Sequence, residues 1–368
     1  MLSPRNEAVD SSAPSLNSLY FYLTSYCNLK CLHCWIDPMY IDKEEAQEEA
    51  SFELLKDVID QAIPLGLKSI KITGGEPFLN KNIFSLIAYA FKKRLIATIE
   101  TNGTLINDNI ASFLKKNNVK QIAVSIDGHN KIVHERLRGV GGSFEKAVNG
   151  IKVLKKYNLN IQIIMAVYKD NIGHVEDVIK LAESLGVSNL KINRILNISR
   201  GEDLNAKDKT LSVSSYIRFN KMIDTDIQPS YRLNIMLDIP LAFKKIWRIR
   251  ETRSMCNIKN IAGVLADGSI SMCGIGRTIE SLKLGSIRQE SLRHIWTNNP
   301  TLRIIREGLP DGLKGICGRC IFKGVCMGQC RAEAYYRNND LLSPFSFCEE
   351  AFKLGLFPKH SMFNKTLL

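Results

Sequence analysis

The chain of 368 residues lacks any apolar run near the roughly 20 residues needed to cross a bilayer, so no membrane span is expected. Its first stretch, Met1 to Asn17, is polar and carries no apolar signal core, which excludes a secretion signal and suggests a flexible tail on a cytoplasmic protein. No internal repeat beyond a β-α unit and no low-complexity segment occurs. Helix-turn-helix, zinc-finger and RNA-binding signatures are missing too, so no nucleic-acid partner is expected. Acidic residues are in deficit: 37 Asp and Glu stand against 50 Lys and Arg, a net charge of +13. Such a charge attracts anionic ligands, here an acidic peptide before a nucleic acid. Solvated lysine faces account for part of the excess. The remaining proportions, 45% apolar and 24% charged, are those of a globular protein long enough for two cores.

Against these absences stand 10 cysteines. Without a secretion signal they argue for metal ligation over disulfides. Three of them, Cys27, Cys31 and Cys34, follow a C-x3-C-x2-C spacing, which brings three sulfurs together in one short loop. Three thiolates can hold three irons of a [4Fe–4S] cluster and leave the fourth open to a reactant. On spacing alone a zinc knuckle with a fourth ligand elsewhere fits as well. The aromatic run Tyr20 to Thr24 just before the loop reads as a first strand, which places the thiols where a β/α barrel keeps its chemistry.

From Tyr20 to Arg194 strand and helix patterns alternate. Helical stripes cover 52–63, 83–91, 107–116, 144–157 and 175–185, and strand patterns cover 68–72, 97–100, 121–126, 160–167 and 190–192. Six β-α units of this kind argue for parallel strands with right-handed crossovers. After 250 regular repeats stop while Gly and Cys become frequent. The organisation expected is a tail over 1–19, a barrel over 20–200, a bridging region over 201–250 with helical periodicity from Val213 to Met222, and a Cys-rich C-terminal domain over 251–368 with little regular structure.

The cysteine loop, with Gly74-Gly75-Glu76-Pro77 directly after the second strand, resembles the radical S-adenosylmethionine (SAM) superfamily. The resemblance implies an α/β fold, a six-fold (β/α) partial TIM-like barrel. It also implies a cluster on Cys27, Cys31 and Cys34 whose open iron chelates SAM, with reductive cleavage to methionine and a 5′-deoxyadenosyl radical. Gly74, Gly75, Glu76 and Pro77 are then expected around the SAM amino group. Asn102 and Ser125, at the ends of the third and fourth strands, are expected near its ribose or carboxylate. Arg138, in a recurrent Arg-Gly pair, is expected to meet the carboxylate, and His33 to stack near adenine or act as an outer hydrogen-bond donor. Each of these also reads as an ordinary turn or capping residue.

The remaining cysteines read Cys256-x11-Gly268-x4-Cys273, Cys317-x2-Cys320-x5-Cys326-x3-Cys330, then Cys348. This pattern resembles the SPASM domain, the extension of subtilosin, pyrroloquinoline quinone, anaerobic sulfatase and mycofactocin maturases. By that resemblance Cys317, Cys320, Cys326 and Cys348 hold one auxiliary [4Fe–4S] cluster, and Cys256, Cys273 and Cys330 hold another, for three clusters in all. Structural zinc is the alternative. Some relatives have an eighth cysteine in the stretch 257–272, and here there is none. The basic stretch Lys244 to Arg253 could contact an acidic leader, or be a solvated helix face over Trp247. Asp238 is a candidate base.

The function expected is maturation of a ribosomally made precursor peptide, acidic or with an acidic leader, by a crosslink, most of all a Cys thioether. A flavodoxin or ferredoxin would be the reductant. Carbon–carbon crosslinking, formylglycine formation in a sulfatase, tetrapyrrole modification and a non-catalytic electron carrier are the alternatives. With about 20 residues before the first strand, no separate leader-binding domain is expected there.

Overall fold

The computed structural model describes residues 13–41, 49–245, 248–249 and 256–363. Ten strands form one sheet: β1 Ser18–Tyr22, β2 Ser69–Thr73, β3 Ile96–Thr101, β4 Gln121–Ser125, β5 Ile161–Val167, β6 Asn189–Arg194, β7 Asn234–Leu237, β8 Ile261–Val264, β9 Ser269–Ser271 and β10 Lys283–Ser286. Their order is β10-β9-β8-β1-β2-β3-β4-β5-β6-β7. From β8 through β1 to β7 every pairing is parallel. Only β9 and β10 are antiparallel additions.

Alternation within the strands explains the layering. Ile70 and Ile72 of β2 are buried, whereas Ser69, Lys71 and Thr73 face the opposite side and are only partly covered. The helices α1 Phe52–Ala62, α2 Ile83–Lys92, α3 Asp108–Lys116, α5 Ser143–Lys156 and α6 Val175–Ser184 cover the apolar side. In α1 the stripe Leu55, Val58, Ile59 and Ala62 is buried, and Ser51 caps the first turn by accepting from the Leu54 N–H at 3.2 Å. Each large side chain in such a stripe contributes about 1.5–3 kcal/mol.

Three elements lie outside the expected repeats. A short helix, α4 Lys131–Arg138, precedes α5, and β7 extends the parallel sheet from the bridging region. Another, α7 Arg200–Ala206, follows β6. Residues 14–19 correct the expected tail. Leu16 and Leu19 are fully buried, Ser18 opens β1, and Trp296 Nε1 donates to the Pro14 carbonyl at 2.7 Å. The C-terminal residues carry more regular structure than their composition suggests, because β8 pairs along β1 and draws 261–286 into the barrel sheet. Among the described residues no helix is long and apolar enough to cross a membrane.

Candidate active site and cysteine groups

Parallel strands end on one face, and the cavity lies there. It measures about 270 Å³ and is lined by Cys27, Cys31 and Cys34, by Gly74 and Gly75 after β2, and by residues at the ends of β3, β4, β5, β6 and β7. The cysteine loop is held from both sides. Lys30 N donates to the Arg138 carbonyl at 3.1 Å and Leu32 N to that of Leu137 at 2.9 Å. Gly139 permits this approach: its φ is +73°, and a Cβ there would stand 2.5 Å from the Lys30 carbonyl oxygen. Two arginines that the sequence did not single out clamp the other side. Arg200 Nη2 donates to the Pro38 carbonyl at 2.8 Å, and Arg277 Nε to that of Ile36 at 2.7 Å. Burial pushes the Cys34 thiol up to about 11 and those of Cys27 and Cys31 up as well.

Gly74 and Gly75 form a cradle. Gly74 has φ +134°, and a Cβ on Gly75 would overlap the Tyr26 carbonyl oxygen at 1.8 Å. Unlike Gly74 and Gly75, Glu76 and Pro77, also expected around the SAM amino group, do not line the cavity. The Glu76 carboxylate is wholly buried and occupied. Oε1 accepts from Thr101 Oγ1 at 2.7 Å and Phe78 N at 3.3 Å, and Oε2 accepts from Asn102 N at 2.8 Å. Pro77 starts a 3₁₀ turn, where its fixed φ suits the first position. Glu76 is thus a positioning residue that ties the end of β3 to the glycine cradle.

Burial holds the Glu76 carboxyl up at about 7. A raised acid binds its proton more tightly folded than unfolded. Its contribution is therefore favourable at low pH and is lost as pH rises from the ordinary carboxylate value through about 7. Thermal midpoints of the wild type should show this loss, and Glu76→Gln should flatten it. An unchanged profile would mean that the carboxyl does not titrate there.

Asn102 lines the cavity but spends its amide on the cysteine loop. Nδ2 donates to Asn28 Oδ1 at 2.8 Å and approaches Cys27 Sγ at 3.9 Å. Ser125 and His33 also line the cavity. Burial lowers His33 to about 4, so the ring is neutral at pH 7, and its Nδ1 has no hydrogen-bond partner among the described residues. Arg138 also lines the cavity, with its Nε 2.5 Å from Asp127 Oδ2 and its Nη1 3.6 Å from Cys31 Sγ. The cavity also has a charged wall that the sequence did not suggest. Glu100 of β3 faces it and pairs with Lys71 of β2 at 2.7 Å. Burial raises the Glu100 carboxyl, but Lys71 more than offsets this and holds it ionised.

None of the ten cysteines is in a disulfide. Cys317, Cys320, Cys326 and Cys348 converge on one apolar pocket walled by Pro240, Ala242, Phe322 and Phe357. Backbone N–H groups point at this set and at its neighbour: Phe345 N donates to Cys317 Sγ at 3.3 Å, and Glu333 N to Cys330 Sγ at 3.4 Å. Cys256, Cys273 and Cys330 form the other group, close enough that each thiolate would repel the next. A four-sulfur donor set suits either iron–sulfur or zinc.

Comparison with known proteins decides between these chemistries. A model of the radical SAM superfamily matches residues 21–182, and one of the SPASM iron–sulfur cluster-binding domain matches 256–321. Residues 21–182 thus form a radical SAM core, and residues 256–321 a SPASM region. It is 29% identical to an AdoMet-dependent heme synthase of Methanosarcina barkeri, over 92% of this chain and 97% of that one. It is 24% identical to the mycofactocin maturase MftC of Mycobacterium tuberculosis, over 95% of this chain and 87% of the relative. Its fold matches that of Streptococcus suis SuiB bound to its precursor peptide SuiA, with a TM-score of 0.72, 17% identity, and 91% and 76% of the two chains covered. It also matches anSMEcpe with bound AdoMet, with a TM-score of 0.69, 21% identity, and 92% and 97% covered.

As a radical SAM enzyme with a SPASM region the chain uses SAM and iron–sulfur clusters, and the residues present fit both. The three-thiol loop opens into the cavity beside the glycine cradle, and the pocket of four sulfurs is lined by apolar residues. Asp238, directly after β7, lies between the two regions. It lines the cavity, and its Oδ1 accepts from Nε2 of Gln329, the neighbour of Cys330, at 3.3 Å. Arg194 at the end of β6 pairs with Glu333, which joins the cavity wall to the helix that follows Cys330. Of the basic stretch 244–253, Trp247, Arg250 and Arg253 lie outside the described residues.

Proposed function

We propose that this enzyme crosslinks a ribosomally made peptide, joining a Cys sulfur to a carbon of another residue. The observation that carries the reading is the position of Asp238 and Gln329, between a cavity walled by Cys27, Cys31 and Cys34 and the three-thiol group of Cys256, Cys273 and Cys330. When bound, SAM and its cluster would supply the 5′-deoxyadenosyl radical. The protein's part is to orient and to manage charge. Gly74 and Gly75 would let a ligand approach the backbone closely. Asp238 would accept the proton that a substrate thiol sheds when it binds as the thiolate. The group of three thiols, one short of a full set, would leave a place for the substrate thiolate, and the auxiliary centres would accept the surplus electron, with a flavodoxin or ferredoxin as the reductant that starts the reaction. The overall charge of +13 suits an acidic precursor.

Tetrapyrrole modification is the second reading. It is supported by the coverage of the Methanosarcina barkeri heme synthase, 97% of whose length aligns. Its substrates would also be anionic, through their carboxylates. One experiment separates the two. Cluster-loaded enzyme, SAM and a low-potential reductant are incubated without oxygen, either with Cys-containing acidic peptides or with an iron tetrapyrrole carrying propionates. Loss of two hydrogens from a peptide with its thiol no longer alkylatable supports the crosslink. Conversion of the tetrapyrrole alone would overturn it.

A further inference from the structure

Two histidines and an aspartate meet on the rim of the barrel, outside the cavity. His129 lies in the loop between β4 and α4, and His174 and Asp177 stand at the start of α6. Nδ1 of His129 and Nδ1 of His174 lie 3.6 and 3.4 Å from the same oxygen, Asp177 Oδ2. The three donor atoms fall within 4.8 Å of one another. The first is beyond hydrogen-bond distance, and the second makes only a long hydrogen bond. They are close to the ~3.3–3.4 Å edge of a tetrahedron centred on zinc, with ligands at about 2.0–2.2 Å. His129 Nδ1 is shielded from solvent and has no hydrogen-bond partner among the described residues.

We propose that His129, His174 and Asp177 bind a divalent transition ion of the zinc type, with water in the fourth position. Two imidazoles and one carboxylate suit a borderline ion and not a hard one. The exposed sides of His174 and Asp177 leave room for the water. The ion would tie the β4–α4 loop to α6. That loop also carries Asp127, whose Oδ1 accepts from Ala166 N at 2.8 Å and whose Oδ2 pairs with Arg138. The site braces the support of Arg138 without entering the cavity.

Asn130 sets the strength of the site. Its Nδ2 lies 2.7 Å from His129 Nε2, while its Oδ1 caps α4 by accepting from Val133 N at 3.0 Å. A metal on Nδ1 leaves the imidazole proton on Nε2, and an amide N–H cannot accept it. Ligating histidines usually donate that N–H to an oxygen. Asp at position 130 would offer one oxygen to Nε2–H and the other to Val133 N. Asn130→Asp is therefore expected to tighten the site, by about 10–100-fold, the usual scale of such outer contacts.

The test is equilibrium dialysis of the cluster-loaded enzyme against Zn²⁺ without oxygen, with zinc and iron measured per chain. The wild type should hold one more zinc than the His129→Ala/His174→Ala variant, at equal iron content, and Asn130→Asp should lower the zinc Kd. Equal zinc in the wild type and the double variant overturns the proposal. A Kd that Asn130→Asp leaves unchanged or raises overturns it as well.

Discussion

Replacing Cys27, Cys31 and Cys34 together with alanine is expected to abolish 5′-deoxyadenosine formation and to remove about four irons per chain. Among the described residues, the three sulfurs are the only thiols that line the cavity with Gly74 and Gly75. The other seven lie apart: four share the apolar pocket, and Cys256, Cys273 and Cys330 make their own group. No other cysteine can stand in. The wild type, reconstituted without oxygen, should approach about twelve irons, and the triple variant about eight, with the C-terminal centres intact. Replacing Cys317 or Cys320 should do the opposite, leaving some uncoupled SAM cleavage but no modified product. Iron analysis and chromatography of the nucleoside read both outcomes. A triple variant that still cleaves SAM would sink the assignment of the radical site. Stoichiometric zinc in place of iron in the wild type would remove its basis.

The sequence was legible where its signals are local. The period of two in Lys68 to Ile72 and the stripe in Phe52 to Ile63 each match an element to within about a residue, because one face of each is buried. The cysteine spacings were legible because metal geometry demands them at short range. The direction of a side chain was not. Glu76 sits in a motif that names its neighbours, yet only the folded turn shows the carboxylate pointing back at Thr101 and Asn102. The clamps from Arg200 and Arg277 have no local pattern at all, since their partners in the cysteine loop lie far away in the chain. The Lys71–Glu100 pair escaped notice for a related reason. Alternation marks which residues leave the apolar face, but it does not show that the other face closes into a barrel interior. The strand β7 was missed because its four residues are too few to give a period.

Arg138→Met is expected to destabilise the protein by about 3–5 kcal/mol, the usual cost of stranding one partner of a buried ion pair. Asp127 is fully buried, and Arg138 is 8% exposed. Burial pushes the Asp127 carboxyl up, but Arg138 first, then His33 and His134, bring it below its ordinary value. Its contribution to stability is then present above the ordinary carboxylate value and is lost as pH falls through the folded one. Removing Arg138 takes away the largest of the lowering effects, and burial, the largest effect of all, is then expected to reverse that sign. The variant should lose stability as pH rises, which thermal midpoints at pH 5.5 and pH 8 would read. Asp127→Asn combined with Arg138→Met removes both charges, leaves an oxygen for Ala166 N, and should recover at least half of the loss. Were the chief role of Arg138 to hold the SAM carboxylate, the SAM-free variant would be as stable as the wild type and the double variant would rescue nothing. The position of Nε against Asp127, with Nη1 turned to Cys31 Sγ, links a buried carboxylate to the cysteine loop, and it is this link that the stability test reads.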